Sequence, residues 1–139
     1  MSAKQNVDVL LEIFAAIERR DAQRVSELCE ADVEFIWPRP LPYAGVSRLR
    51  DQRSILDRWI PLQPTTAERG MNPRIVAATD QEVVILWRQR GVSRGGDRCD
   101  SPVLGLYEVR GGRLARAQMF FFDPVAVSRF LATAQSDAA

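Results

Sequence analysis

Histidine is absent from the sequence. That removes Ser–His and Cys–His triads, the commonest general base, and most zinc and facial-triad iron sites, all of which need an imidazole. Acid–base chemistry falls to Asp, Glu, Tyr, Lys, Cys or water. Cysteine is scarce. Cys29 and Cys99 are far apart and sit in no motif, so they read as small hydrophobes, with no disulfide expected between them. A charge excess of one sign is missing too. Nineteen basic and eighteen acidic residues leave a net charge of +1, which gives no long-range pull on nucleic acid or an anionic membrane. No apolar run approaches the ~20 residues that span a bilayer, and Met1–Gln5 lacks a signal-type apolar stretch. The expectation is a cytoplasmic protein without a nucleic-acid or membrane partner. Gly95-Gly96 precedes no helix start, so it is a turn and not a phosphate cradle. No cofactor and no metal is expected.

What is present is ordinary globular material. The 139 residues are 46% apolar and 27% charged, enough for one domain over residues 1–139. Val7, Leu10, Leu11, Phe14 and Ile17 recur at helical spacing and predict a first helix over about Ala3–Arg20. Asp21 caps a second, with Ala22, Val25, Leu28 and Cys29 inward. Val33–Trp37 alternates as a strand. Three prolines in Pro38–Gly45 forbid regular structure. Ser47 can cap a third helix over about Arg48–Ile60, and Thr65–Pro73 is ambiguous. Beyond it the pattern is β: Arg74–Thr79, Val83–Arg90, Arg98–Arg110 and Arg113–Phe122, with turns at Thr79-Asp80-Gln81, Gly91–Asp97 and Gly111-Gly112. Pro102 implies that its strand is an edge or carries a bulge.

Phe120, Phe121 and Phe122 put aromatics on both faces of the last strand, so both faces should be covered. Asp123-Pro124 then switches the pattern to a closing helix, Val125–Leu131, with a tail from Ala132 that should fray. Asp123 suits an N-cap and Pro124 the first helical position, so punctuation outweighs catalysis for this carboxylate. The class is α+β: a curved, mainly antiparallel sheet packed against three N-terminal helices, with a short C-terminal helix. A sheet closed this way makes a cone with a mouth, a natural small-molecule pocket.

The chain resembles the nuclear transport factor two-like superfamily, in its SnoaL-like branch. The resemblance runs from Val7 to Leu131. It is carried by Glu30-Ala31-Asp32-Val33-Glu34-Phe35, by Leu106–Leu114 through the last hairpin, and by Phe122-Asp123-Pro124. That fold hosts isomerases, hydrolases, cyclases, dehydratases and non-catalytic binders. The ketosteroid isomerase aspartate falls at Trp37, which cannot abstract a proton. Of the limonene-type epoxide hydrolase set, the arginine falls at Arg88, one aspartate at Arg90, the other near Phe120, and the water-holding pair at Phe35 and Trp37.

The resemblance places Leu86, Arg88 and Arg90 toward the cone, with Val84 beside them. Ser101, Gln118, Phe120 and Phe122 share that assignment. Phe35, Trp37 and Tyr43 complete the expected substrate-binding set, Tyr43 on the rim. Arg88 is the expected catalytic group, since a guanidinium in an apolar cavity can polarise a carbonyl or hold an enolate. By the same parity Trp87, Leu104, Met119 and Phe121 face outward, as a homodimer interface, and Asp100 points outward. Two functions follow. One is a cofactor-free cyclase, isomerase or dehydratase acting on a hydrophobic oxygenated substrate. The other is a non-catalytic dimer binding a small apolar ligand or a protein partner. An open cone holding a buried carboxylate favours the first, a cone filled with side chains the second.

Overall fold

A computed structural model describes residues 2–138. Helix α1 (Ala3–Glu18) opens with a reciprocal cap. Ser2 Oγ accepts from the Gln5 amide at 3.2 Å, and Gln5 Oε1 accepts from the Ser2 amide at 2.8 Å. Leu10, Ile13 and Phe14 form its buried face. Asp21 caps α2 (Ala22–Glu27) by accepting from the Arg24 amide at 3.0 Å. Strand β1 (Cys29–Trp37) begins earlier than the alternation suggested, at Cys29. The proline-rich loop leads into a short strand, β2 (Gly45–Ser47), that the sequence did not announce. Ser47 caps nothing. Its hydroxyl donates to the Phe35 carbonyl and accepts from Trp37 Nε1 and Gln52 Nε2. Asp51 instead accepts from the Arg48 amide ahead of α3 (Gln52–Trp59).

The ambiguous stretch holds a one-turn helix, α4 (Thr66–Arg69). Strands β3 (Arg74–Ala78), β4 (Glu82–Val92), β5 (Arg98–Arg110) and β6 (Arg113–Phe121) follow. Gly111 and Gly112 both have positive φ, 56° and 79°, which the tight β5–β6 turn requires. The six strands form one sheet in the order β2-β1-β6-β5-β4-β3. All neighbours are antiparallel except β1 and β6. Register shifts at Glu108/Val109, Ile75/Ala77 and Cys29/Glu34 bend the sheet into its curve.

Pro102 lies on a strand that is internal to the sheet, but only locally an edge. Residues 98–102 pair with β4 and run past the end of β6, whose register begins at Val103↔Phe121. The Phe122 amide donates to the Pro102 carbonyl, so the missing proline N–H faces Phe122, just past the end of β6, where the ladder stops. Past Arg74 the free side of β4 is covered by the chain itself. The Arg88 amide donates to Met71 O at 2.8 Å, and Gln63 Nε2 donates to Arg90 O at 2.8 Å.

Asp123 acts as the cap the sequence suggested, accepting from the Ala126 amide at 3.0 Å. The helix it starts, α5 (Pro124–Ala138), does not fray at Ala132. It continues because Phe130, Leu131 and Ala134 are buried against the body, and packing rather than propensity holds a helix of this kind. Ala139 lies outside the described residues. Among the described residues no helix is long and apolar enough to cross a membrane.

Candidate functional site: the aromatic interior of the cone

The inner face of the sheet carries Val33, Phe35 and Trp37 on β1, Val83, Ile85 and Trp87 on β4, Ser101, Val103 and Tyr107 on β5, and Ala117, Met119 and Phe121 on β6. Helices α1, α3 and α5 close over it. Aromatic rings meet in an unbroken chain across this interior. Tyr107 and Trp87 each lie 6.0 Å from Phe14, edge to face. Trp87 meets Phe121 at 6.3 Å, Phe121 meets Trp37 at 6.3 Å, and Trp37 meets Tyr43 at 5.1 Å. Trp59 Nε1 donates to Tyr43 Oη at 3.0 Å, and Trp59 stacks on Phe130 at 6.1 Å. Each such pair adds on the order of 1 kcal/mol beyond area burial. The mouth is tied down by Ser128 of α5, whose hydroxyl donates to Pro40 O at 2.9 Å. The cone is a filled aromatic core.

The faces of two strands, β4 and β6, are opposite to those expected. Val84, Leu86, Arg88, Arg90, Gln118, Phe120 and Phe122 do share one side, but it is the outer side. Phe120 and Phe122 are 46% and 66% exposed. Trp87, Met119 and Phe121, expected outside, are buried inside. The physical reason is desolvation. A buried guanidinium costs several kcal/mol unless fully partnered, and the outer parity of β6 and of β5 between the two also carries Asp100, Glu108 and Arg116. Large rings gain most by meeting Phe14 of α1. Phe35, Trp37, Tyr43 and Ser101 are placed inside or on the rim, and Leu104 and Asp100 outside, as their alternation indicated.

Arg88 is therefore remote from the cone interior. Its Nε donates to Asp100 Oδ1 at 2.5 Å and its Nη2 to Asp100 O at 3.2 Å. Arg90 Nε reaches the same Oδ1 at 3.3 Å, and its Nη1 donates to Gly70 O. Partial burial alone would raise the Asp100 pKa. The hydrogen bonds and charges of Arg88 and Arg90 outweigh it and hold the carboxyl below its ordinary value.

The interior offers only neutral polar groups. Among the described residues no carboxylate or guanidinium is buried. Burial pushes the Tyr43 hydroxyl up to about 12, partly offset by the Trp59 N–H. It pushes the Cys99 thiol to about 11, with Asp100 adding to the effect, and raises Tyr107 strongly. None of these is ionised near neutrality, so none is a ready general base. Among the described residues, besides Asn6 Oδ1 on α1, two buried side-chain atoms on the inner face of the sheet lack a hydrogen bond of full geometry: Trp87 Nε1, which donates toward the Tyr107 hydroxyl, and Ser101 Oγ. They are neighbours across the β4–β5 ladder, where Trp87 pairs with Val103 and Gln89 with Ser101. An unmet hydroxyl in an apolar wall suits an oxygen acceptor.

The aromatic path through Phe14, Trp59, Tyr107 and Phe130 was not among the expected binding residues. Phe14 and Trp59 were legible as helix faces, and Tyr107 shares parity with Ser101. Phe130 had no distinguishing signal, because the closing helix gave no hint that it would fold back over Gly91.

The sequence profile of the SnoaL-like domain family matches residues 10–117, most of the chain. The uncharacterized protein Rv0034 of Mycobacterium tuberculosis is 29% identical over 140 residues, covering 95% of this chain and 100% of that protein. Among solved structures, Bal32a from a soil-derived mobile gene cassette is 21% identical. It covers 93% of this chain and 98% of its own, with a TM-score of 0.76. An NTF2-like protein of Burkholderia xenovorans LB400 is 20% identical over 93% of this chain and 97% of its own, with a TM-score of 0.73. TerC, co-crystallized with polyporic acid, is 17% identical over 92% of this chain and 98% of its own, with a TM-score of 0.72. These three likenesses are of fold. With the profile match covering most of its length and the cone sheet in place, the chain belongs to the SnoaL-like domain family and has the NTF2-like fold.

Proposed function

We propose that the chain is a SnoaL-like binding module for a small, apolar, oxygen-bearing molecule, working as a homodimer and without acid–base catalysis. The observation that carries this reading is the inward Ser101 hydroxyl, which has no hydrogen-bond partner, beside the Trp87 indole N–H that leans on the Tyr107 hydroxyl, in an aromatic wall that holds no buried carboxylate. Such a wall recognises a flat apolar body by ring contacts and a carbonyl or ether oxygen by hydrogen bonds. A ligand enters by displacing α5 and the proline-rich loop, which meet through Ser128 and Pro40. The co-crystallization of TerC with polyporic acid supports the general idea that this fold accommodates such a guest. The enzyme reading built on Arg88 has the outward position of that residue against it. The homodimer part rests on the outer sheet face, where Leu86, Leu104 and Phe120 pair across three strands and Phe120 is exposed.

The test is tryptophan fluorescence and thermal shift on the purified chain, with polyporic acid as first probe and a panel of flat apolar ketones and quinones. Binding should quench the interior tryptophans and raise the melting temperature. Ser101→Ala should weaken affinity by roughly two- to tenfold, the worth of one hydrogen bond. Binding that is indifferent to both Ser101→Ala and Trp87→Phe would overturn the assignment, as would no binding by any member of the panel.

A further inference from the structure

Helix α1 ends in a backbone shape made for glycine, and an arginine occupies it. The Arg20 amide donates to Ile17 O at 3.1 Å and the Asp21 amide to Ala16 O at 2.8 Å, the paired bonds that close a helix through a left-handed residue. That residue is Arg20, at φ 62°. A side chain is disfavoured in this conformation, which glycine usually fills. What the position sets is the direction of the side chain. It leaves the helix toward the buried Gln63, whose Oε1 accepts from Arg20 Nη2.

Gln63 holds a second cation. Its backbone oxygen accepts from Arg69 Nε at 3.0 Å. Its side-chain amide is oriented by the Arg90 carbonyl, which accepts from Gln63 Nε2 at 2.8 Å, so Oε1 has to face Arg20. Two guanidiniums are thus moored to one neutral residue. Each gives one nitrogen to Gln63 and, among the described residues, meets no other acceptor and no ion-pair partner.

The nearby acids are engaged elsewhere. Glu18 Oε2 accepts from the Met71 amide at 2.7 Å, and Asp21 caps α2 and pairs with Arg19. Asp100 is shared by Arg88 and Arg90. Glu68 accepts from the Thr65 hydroxyl, and it feels the charges of Arg98 and Arg69 without pairing with either. Burial and the charge of Arg69 together push the Arg20 guanidinium below its ordinary value, with no acid acting the other way. Like charges held together in a half-buried place are unfavourable until an anion joins them.

We infer that Arg20 and Arg69 form a site for a phosphate-type oxyanion, which accepts from both guanidiniums beside Gln63. Two unneutralised positive charges match a dianion, where a carboxylate would leave one over, and planar N–H forks suit its oxygens. The site uses none of the aromatic rings of the interior and stands independently of the ligand reading above. Two arginines on a chain of net charge +1 select a small soluble phosphate and not a nucleic-acid backbone.

Inorganic phosphate is the probe, on the full chain, at mildly alkaline pH where the dianion predominates. Ionic strength is held constant with sodium chloride. Phosphate should raise Tm, because it binds the folded chain alone, and acetate should raise it much less. Isothermal titration calorimetry should give a dissociation constant on the order of 1 mM, the worth of a few charge-assisted hydrogen bonds. Arg20→Gly should melt near the wild type without phosphate, since relief of the left-handed backbone offsets the lost bond to Gln63. It should bind phosphate about tenfold or more weakly, as should Arg69→Gln. Arg113→Gln, at the far β5–β6 turn, should leave phosphate binding unchanged. Phenyl phosphate distinguishes the sources: binding as tight as phosphate assigns a phosphate ester, exclusion assigns the free ion, and both uphold the site. Equal Tm in phosphate and in chloride at matched ionic strength would overturn it. So would phosphate affinity that survives both Arg20→Gly and Arg69→Gln.

Discussion

Gly105 is the position where one added carbon tests the description of the interior. It lies on the inner face of β5, two residues from Tyr107, and Tyr107 lays its ring over it. A Cβ built on Gly105 would fall 2.2 Å from the Tyr107 hydroxyl oxygen and 2.3 Å from both Cε2 and Cζ. The backbone at Gly105 is not in the left-handed region, so alanine itself is allowed there. In an open strand Gly→Ala would add roughly 0.5–1 kcal/mol of stability through chain entropy. Here the ring cannot step aside. Tyr107 is 5% exposed and fixed edge-on against Phe14 at 6.0 Å. Overpacking of this kind costs about 1–3 kcal/mol. The net expectation for Gly105→Ala is a loss of about 1–2 kcal/mol, or roughly 3–8 °C in Tm for a chain of this size. Differential scanning calorimetry with urea melts reads it. The control is a double-mutant cycle with Tyr107→Leu, which removes the ring. In that background Gly105→Ala should be neutral or stabilising. An unchanged Tm for Gly105→Ala, or an equal loss with and without the Tyr107 ring, would refute the packing described.

The buried thiols and phenol make stability sensitive to alkali. Cys29 is held at about 12, Cys99 at about 11 and Tyr43 at about 12, against ordinary values of 9.0, 9.0 and 10.0. The unfolded chain releases these protons first and so binds fewer than the folded chain above about pH 9. Stability present in full below that pH should fall as pH rises toward about 12; a Tm flat from neutrality through that window would contradict the burial. Asp123→Ala should lower stability by about 1 kcal/mol through loss of the α5 cap, and Asp123→Asn should restore most of it, both read by chemical denaturation. An equal loss for Asn would point to a role for the charge itself.

Helix faces, strand positions and the Asp123-Pro124 junction were legible because each depends on local chemistry: periodicity, capping and turn residues. The face of each strand was harder. Residues 83–87 of β4 are apolar without interruption, so alternation says nothing there. The answer lay in the flanks. Arg88 and Arg90 share parity with Val84, Arg116 shares it with Phe120, and Glu108 shares it with Leu104. Charges on three neighbouring strands mark the wet side more cheaply than any resemblance does. Taking Arg88 as an interior group set aside that rule and inverted the strand. Strand β2 was hidden because three residues are too few to show a period. The length of α5 depended on contacts with Trp59 and Gly91, made far away in the chain.

The covering of β4 by Met71 and Gln63 has a consequence for how copies of this chain accumulate. A bare edge recruits another chain by strand addition, and that process has no natural end; fibres grow from it. Here one rim of the sheet is three residues long. The other, β3, carries a register shift between Ile75 and Ala77, and beyond it the ladder donors and acceptors of β4 are already spent on the chain's own loop. Growth by backbone pairing has only the short, bulged outer side of β3 to begin from. What is left for self-association is the broad face, and a face that meets its own copy is used up in a single encounter. Concentration alone should therefore drive this protein to a finite assembly and not to a filament.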